Sequence, residues 1–232
     1  MNKKSKHILL VAATKFEIER ITQKFTHSET PNHFRDSRYP NTLFETLITG
    51  VGIHPTIYQL TKRVMSPCEP VDLIINLGIA GAFDMNRALG ETVQVVKQQF
   101  VDWGVADSKG FLSVFDLQFQ NPNQPPFSEA TITNPLTIEM KNLSQVSSIT
   151  SNTSHGSIES IQIAKTQAHA DIESMEGAAV AFVAKQESID YIEMRTISNH
   201  VEPRDRSKWN IPLALDNLCT SFFQLLEHYK QI

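Results

Sequence analysis

Residues 7–25 read HILLVAATKFEIERITQKF, and the way this stretch divides decides the fold. Ile8 to Ala13 is an unbroken apolar run, and His7 to Ala13 reads as a buried strand. At Thr14 the pattern changes. Thr14-Lys15-Phe16-Glu17 fits the T-x-x-E capping box, in which the glutamate bonds back to the cap residue's amide and a helix begins. The expectation is a helix over Thr14–Phe25 with Phe16, Ile21 and Phe25 facing inward. Lys3, Lys4 and Lys6 ahead of the apolar run invite a signal-peptide reading. The run is too short for that and leads straight into the helical pattern.

The same strand-then-helix unit recurs along the chain. Strands are expected at Leu43–Thr49, closed by Gly50-Val51-Gly52, and at Val71–Leu77, closed by Gly78-Ile79-Ala80-Gly81. Further strands fall at Thr92–Val101, Val146–Thr150, Asp171–Met175 and Tyr191–Ile197, the last reaching Ser198-Asn199. Helices are expected over Pro55–Met65, Ile158–Ala168, Glu176–Glu187 and Leu213–His228, and residues 121–126, with three prolines, form a loop. Such alternation implies an α/β fold, a mostly parallel sheet covered on both faces, with ligands outside the carboxyl ends of the strands. No repeat or linker divides the chain, so residues 1–232 read as a single domain.

The 232 residues carry a net charge of -4, with 41% hydrophobic and 20% charged residues. No basic block offers a grip on nucleic acid or an anionic membrane, and no apolar run approaches the ~18 residues of a membrane span. Cys68 and Cys219 form no CxxC and suggest no disulfide framework. The eight histidines show no HExxH and no Cys/His cluster, so no metal site is expected, and His155 and His169 read as surface or packing residues. The expected setting is the cytoplasm.

Several residues have bland readings when taken singly. Gly50-Val51-Gly52 does not complete GxGxxG and reads as a tight turn. Glu17 suits a helix cap, Glu176 a helix first turn, Met175 a core and Asn199 a turn. Together they gain weight. "VAATKFEIE", "ITGVGI", "INLGIAGAF", "DIESMEGAAVA" and "RTISN" occur in the order seen in the nucleoside phosphorylase and nucleosidase superfamily. The chain resembles most its futalosine hydrolase branch, and less closely the methylthioadenosine/S-adenosylhomocysteine nucleosidases. "NLGIAGAF", "ESMEGAA" and "ISNHVEPRDRSKW" are the most specific pieces; residues 118–146 resemble the branch least.

The resemblance implies a three-layer α/β fold, a central mixed, mostly parallel twisted sheet flanked by helices, and cleavage of a purine N-glycosidic bond. It implies that Glu17 activates the attacking water, that Met175 and Glu176 hold the ribose, and that Ala80 and Gly81 line the base through their backbone. Asn199 stands where the adenine-specific nucleosidases carry an aspartate. No cofactor is implied, and homodimers are common in the family. The superfamily's phosphorylases need an arginine-bearing glycine loop near the N-terminus. "AATKFEIE" supplies none, so water is the expected nucleophile.

The chemistry of the bond agrees. Its cleavage builds positive charge on the ribosyl ring, which carboxylates stabilise, and negative charge on the purine, which donors stabilise. An asparagine can donate to the position-6 oxygen of hypoxanthine and accept from N7–H, whereas a 6-aminopurine suits a carboxylic acid. Asn199 thus points to a 6-oxopurine nucleoside. Arg195 is expected to pair with Glu173 or Glu176 as a structural task. Arg204, Arg206 and Trp209 are candidates for a carboxylate-bearing substrate tail; a solvated loop is the competing account. Two rival readings are a nucleosidase for methylthioadenosine, S-adenosylhomocysteine or aminofutalosine, and a non-catalytic nucleoside-binding protein.

Overall fold

The computed structural model describes residues 6–67, 69–108, 110–134, 136, 140 and 143–229; Lys3, Lys4 and Cys68 lie outside them. The chain opens with β1 (Lys6–Ala12), α1 (Lys15–Thr22), β2 (His27–Thr30), β3 (His33–Arg35), β4 (Thr42–Ile48) and α2 (Ile53–Val64). Then follow β5 (Leu73–Ala82), β6 (Thr92–Phe100), β7 (Gly104–Asp107), β8 (Gly110–Ser113), β9 (Ile132–Thr133) and β10 (Ser144–Thr150). Last come α3 (Ile158–Gln167), β11 (Ile172–Ser174), α4 (Gly177–Gln186), β12 (Asp190–His200) and α5 (Ile211–Tyr229).

Ten strands form one mixed sheet in the order β11-β10-β6-β12-β5-β1-β4-β3-β2, with β9 beside β6 and β7–β8 a separate hairpin. The long ladders β1–β4, β1–β5, β6–β10 and β5–β12 are parallel. Strand alternation divides the core between the two faces. Ile8, Leu10 and Ala12 of β1 meet Ile18 and Ile21 of α1 and Leu218 and Phe222 of α5. Leu9 and Val11 meet Leu60 of α2 and Val180, Ala181 and Ala184 of α4. Each such buried aliphatic side chain contributes about 1.5–3 kcal/mol of transfer free energy. Among the described residues no helix is long and apolar enough to cross a membrane.

One end of the sheet closes on itself. β11 pairs parallel with β10 and antiparallel with β5, through Ile172–Ala82 and Glu173–Gly81, so β5, β12, β6, β10 and β11 make a ring.

The structure corrects three expectations. β5 does not stop at Leu77 but continues through Gly78-Ile79-Ala80-Gly81 to Ala82, because β12 runs beside it that far. Gly78 and Gly81 are points of close approach rather than turn residues. β12 likewise runs on through Ser198 and Asn199 to His200. Phe16 does not face inward: it is 76% exposed, while Glu17, Ile18 and Ile21 are buried. Glu17 bonds back to Thr14, which fixes the rotation of α1 and turns Phe16 out. The short strands β2, β3, β7, β8 and β9 carry no apolar alternation long enough to announce them.

Candidate active site

A cavity of about 400 Å³ opens where β1, β5, β11 and β12 end, and its wall includes Glu17, Ala80, Gly81, Met175, Glu176 and Asn199. Arg204 and Trp209 also line it. Arg206, grouped with them from the sequence, does not: it begins a short 3₁₀ turn, Arg206–Lys208, and is exposed. Arg204 places its guanidinium 5.2 Å from the Trp209 ring centre, a cation–π distance. Thr153, Ser154, Glu173 and Ser198 complete the polar wall, and Phe16, Val51, Ile211 and Leu215 the apolar one.

Glu17 serves two structures at once. Its Oε2 accepts from Thr14 N–H at 3.0 Å and Thr14 Oγ1 at 2.9 Å, the carboxylate arm of the capping box. Its Oε1 accepts from Ile79 N–H of β5 at 3.2 Å, which ties the end of α1 to the strand that carries Ala80 and Gly81.

Glu176 sits at the N-cap of α4 and is buried. Oε1 accepts from Gly52 N–H at 3.0 Å, so the Gly50–Gly52 turn after β4 has a specific task. Gly52 adopts φ 98°, a backbone conformation that favours glycine. Oε2 lies 3.9 Å from Arg195 Nη1. Burial raises the carboxyl's pKa, helped by the charges of Glu17 and Glu193, while Arg195 and Gly52 N–H oppose the rise.

Arg195 is 1% exposed, with Nε 2.8 Å from Glu193 Oε1. Glu193 Oε2 accepts from Gln98 at 2.9 Å, Gln98 Oε1 from Thr150 at 3.0 Å, and Thr150 Oγ1 from Ala178 N–H at 2.8 Å. This buried chain links the guanidinium to the first turn of α4, beside Glu176. Burial works against the charge of Arg195, but Glu193, Glu176 and Glu17 outweigh it and raise the pKa. Of the two partners expected from the sequence, Glu176 is a distant one and Glu173 is not one. Glu193 takes the place, and the signal was there: residues 193 and 195 share one face of a strand.

Asn199 owes its place to a bulge. Between Ile197, paired with Ala80, and Asn199, paired with Gly81, β12 carries one extra residue, Ser198. Ser198 Oγ lies 2.8 Å from Asn199 Oδ1 and donates to it, and Asn199 Nδ2 donates to His200 O at 3.0 Å. The His200 carbonyl, which can only accept, fixes which end of the amide is nitrogen. A β-carbon on Gly81 would lie 3.2 Å from Asn199 Nδ2 and 3.4 Å from Glu173 Cγ. Asn199 and Glu173 therefore flank one patch of β5 backbone. Glu173 Oε2 is 2.5 Å from His155 Nδ1, and Oε1 accepts from His155 N–H at 3.2 Å. His155, read with His169 as a surface or packing residue, is paired with a carboxylate in the cavity wall, while His169 is exposed.

Among the described residues one group has metal-ligand proximity, His7, His33 and Glu45, at the opposite end of β1. Both oxygens of Glu45 already accept from Arg63 at 2.6 Å, and that fixed cation opposes a second one. Burial works against the Glu45 charge, yet His7 and Arg63 hold its carboxyl down at about 2. The group reads as an ion-pair cluster.

The phosphorylase superfamily model matches residues 7–229. A futalosine hydrolase from Streptomyces coelicolor is 30% identical over 173 residues, 70% of this chain and 69% of that protein. Another, from Acidothermus cellulolyticus, is 33% identical over 168 residues, 66% of this chain and 64% of that protein. The chain thus spans about two thirds of the length of these curated relatives. Among solved structures, a 5′-methylthioadenosine/S-adenosyl homocysteine nucleosidase from Helicobacter pylori superposes with a TM-score of 0.74. It covers 99% of this chain and 100% of its own at 15% identity, a likeness of fold. The chain belongs to the phosphorylase superfamily, and futalosine hydrolases are among its relatives.

Proposed function

We propose that the protein hydrolyses the N-glycosidic bond of futalosine, releasing hypoxanthine and dehypoxanthine futalosine for menaquinone biosynthesis. The observation that carries this is one cavity whose wall brings the carboxylates of Glu17 and Glu176 together with the oriented amide of Asn199. In this reading Glu17 takes a proton from water as it attacks C1′, and a carboxylate with several acceptor sites can do so while capping α1. Glu176 accepts the ribose hydroxyls and Met175 packs on the sugar. Both carboxylates favour the ribosyl cation.

At the base, Ala80 and Gly81 present backbone. Asn199 has one Nδ2–H beyond the one given to His200 and a second lone pair on Oδ1, enough to donate to O6 and accept from N7–H. That pairing is complete only when N7 carries a proton, so it favours the transition state. Arg204 and Trp209 receive the substrate's carboxylate tail, where a guanidinium fits bidentately; Arg206 stays outside the wall. The setting is cytoplasmic and the assembly a homodimer, in which a second copy covers the exposed Phe16 and Val51 at the cavity.

The test is to incubate the protein with futalosine, inosine, aminofutalosine and methylthioadenosine and identify the base released. Hypoxanthine from futalosine is expected. Adenine from methylthioadenosine with futalosine intact would replace the reading by a 6-amino nucleosidase, and binding without turnover by a nucleoside-binding protein.

A further inference from the structure

An amide cannot give up a proton at neutral pH, yet a departing purine needs one. Asn199 accepts N7–H but does not supply its hydrogen. Glu17 and Glu176 stand with Arg195, one beside Gly78 and the other at the head of α4, and the reaction already uses both. Arg204 is a permanent cation. Among the described residues of the cavity wall, that leaves one ionisable group, Glu173, which the reaction has not yet used.

Glu173 is not placed like a surface carboxylate. It is 7% exposed, on β11, where it pairs with Gly81 of β5. Its Cγ and the Asn199 Nδ2 both pack on the spot above Gly81 Cα, so acid and amide flank the same backbone that lines the base. Behind it His155, with a side chain 10% exposed, holds Nδ1 2.5 Å from Oε2. At that distance a proton can pass directly between the imidazole and the carboxyl, and the cavity is on the carboxyl's side.

We propose that Glu173 is the general acid for the departing base and that His155 is its positioning residue, reloading it with a proton. This rests on the nucleosidase reading above. As the C1′–N9 bond breaks, its electron pair passes into the purine. The proton held between Glu173 and His155 passes to the imidazole ring of the base. Water adds to C1′ and loses a proton to Glu17, which returns it to solvent; solvent reprotonates the dyad through His155. One water is consumed and one neutral base leaves, with no other co-reactant.

The competing account is mechanical: Glu173 also accepts from Ser154 Oγ at 3.4 Å and from His155 N–H, and would simply clasp residues 154–155 to β11. The two accounts separate on the leaving group. The p-nitrophenolate of p-nitrophenyl riboside departs as a stable anion and needs no proton, whereas the hypoxanthine of futalosine does. Glu173→Gln and His155→Gln should each lower kcat on futalosine by about 10²-fold or more, while staying within about threefold of the parent on p-nitrophenyl riboside. The second substrate reports that the variants are folded and that the ribosyl half works. Equal losses on both substrates, or none on either, would overturn the proposal and leave the clasp. Failure of the parent itself on both substrates would instead refute the nucleosidase reading.

Discussion

Arg195 occupies the space that a side chain on Gly78 would need. A β-carbon at Gly78 would lie 2.1 Å from Arg195 Nη1 and 2.7 Å from Glu17 Oε1. The glycine is thus what lets a buried guanidinium pass under β5 and reach the two carboxylates. Gly78→Ala has to displace one of them. The expected result is a loss of about 1–3 kcal/mol from overpacking, measured by denaturant unfolding. Turnover on futalosine should fall with it by about 10²-fold or more if Glu17 is the base. Parent-like stability would mean that the guanidinium has room to move aside.

Glu17→Gln separates the cap from the chemistry. The amide oxygen can still accept from Thr14 N–H, while the amide nitrogen then faces the Ile79 N–H that Oε1 served, so the variant should stay folded with a loss of about 1–3 kcal/mol. A glutamine cannot take a proton from water, and kcat should drop by about 10²-fold or more. A variant that unfolds, or one as active as the parent, would leave Glu17 with the capping task alone.

Glu176 links the site to pH. Burial raises its pKa, so the folded protein favours the neutral carboxyl more than the unfolded chain does. That contribution to stability is complete below the ordinary carboxylate range and is lost as pH rises through the raised value. Glu176→Gln is neutral throughout. The variant's melting temperature, relative to the parent's, should therefore improve as pH rises above the ordinary carboxylate range, from about pH 4 upward. The same variant should lose more turnover on ribonucleosides than on 2′-deoxynucleosides. A flat stability difference would show that Arg195 and Gly52 compensate the burial fully, and equal turnover losses would confine Glu176 to the helix terminus.

Asn199→Asp changes the proton inventory and also trades the Nδ2–H given to His200 O for an oxygen facing that carbonyl. Ionised, it faces the position-6 oxygen with like polarity; protonated, it can donate to N7 and accept from a 6-amino group. The ratio of kcat/KM for futalosine over aminofutalosine should move toward the 6-amino substrate. An unmoved ratio would place base selection elsewhere. Asn199→Ala, which removes both contacts, should cost about 10²–10³ in rate.

Much of this was legible in the chain, for identifiable reasons. Buried parallel strands need continuous apolar runs, so β1, β4, β5 and β12 announced themselves, and Thr14 with Glu17 marked the start of α1. The glycines of β5 misled, because a glycine that makes room for a neighbour looks in sequence like one that makes a turn. Close approach is a property of two strands, here Gly78 against Arg195, and only the pairing reveals it. The His155–Glu173 contact joins residues 18 apart through the β10–α3 connection, and no spacing rule reaches it. Arg206 was grouped with Arg204 by proximity in sequence, which a 3₁₀ turn is short enough to undo.

The closed strand ring divides the cavity into a stiff wall and a compliant one. β11 is hydrogen-bonded on both flanks, to β10 and to β5, so Glu173 cannot shift without breaking two ladders together. The segment carrying Arg204 and Trp209 is tied back by few backbone bonds, such as Arg204 N–H to Gly156 O at 2.9 Å and Asn210 N–H to Ser198 O at 2.8 Å. Local opening costs least where such ties are fewest. On the proposed reading, tolerance for different substrate tails lies in one wall, while the geometry presented to the purine is inherited from the sheet.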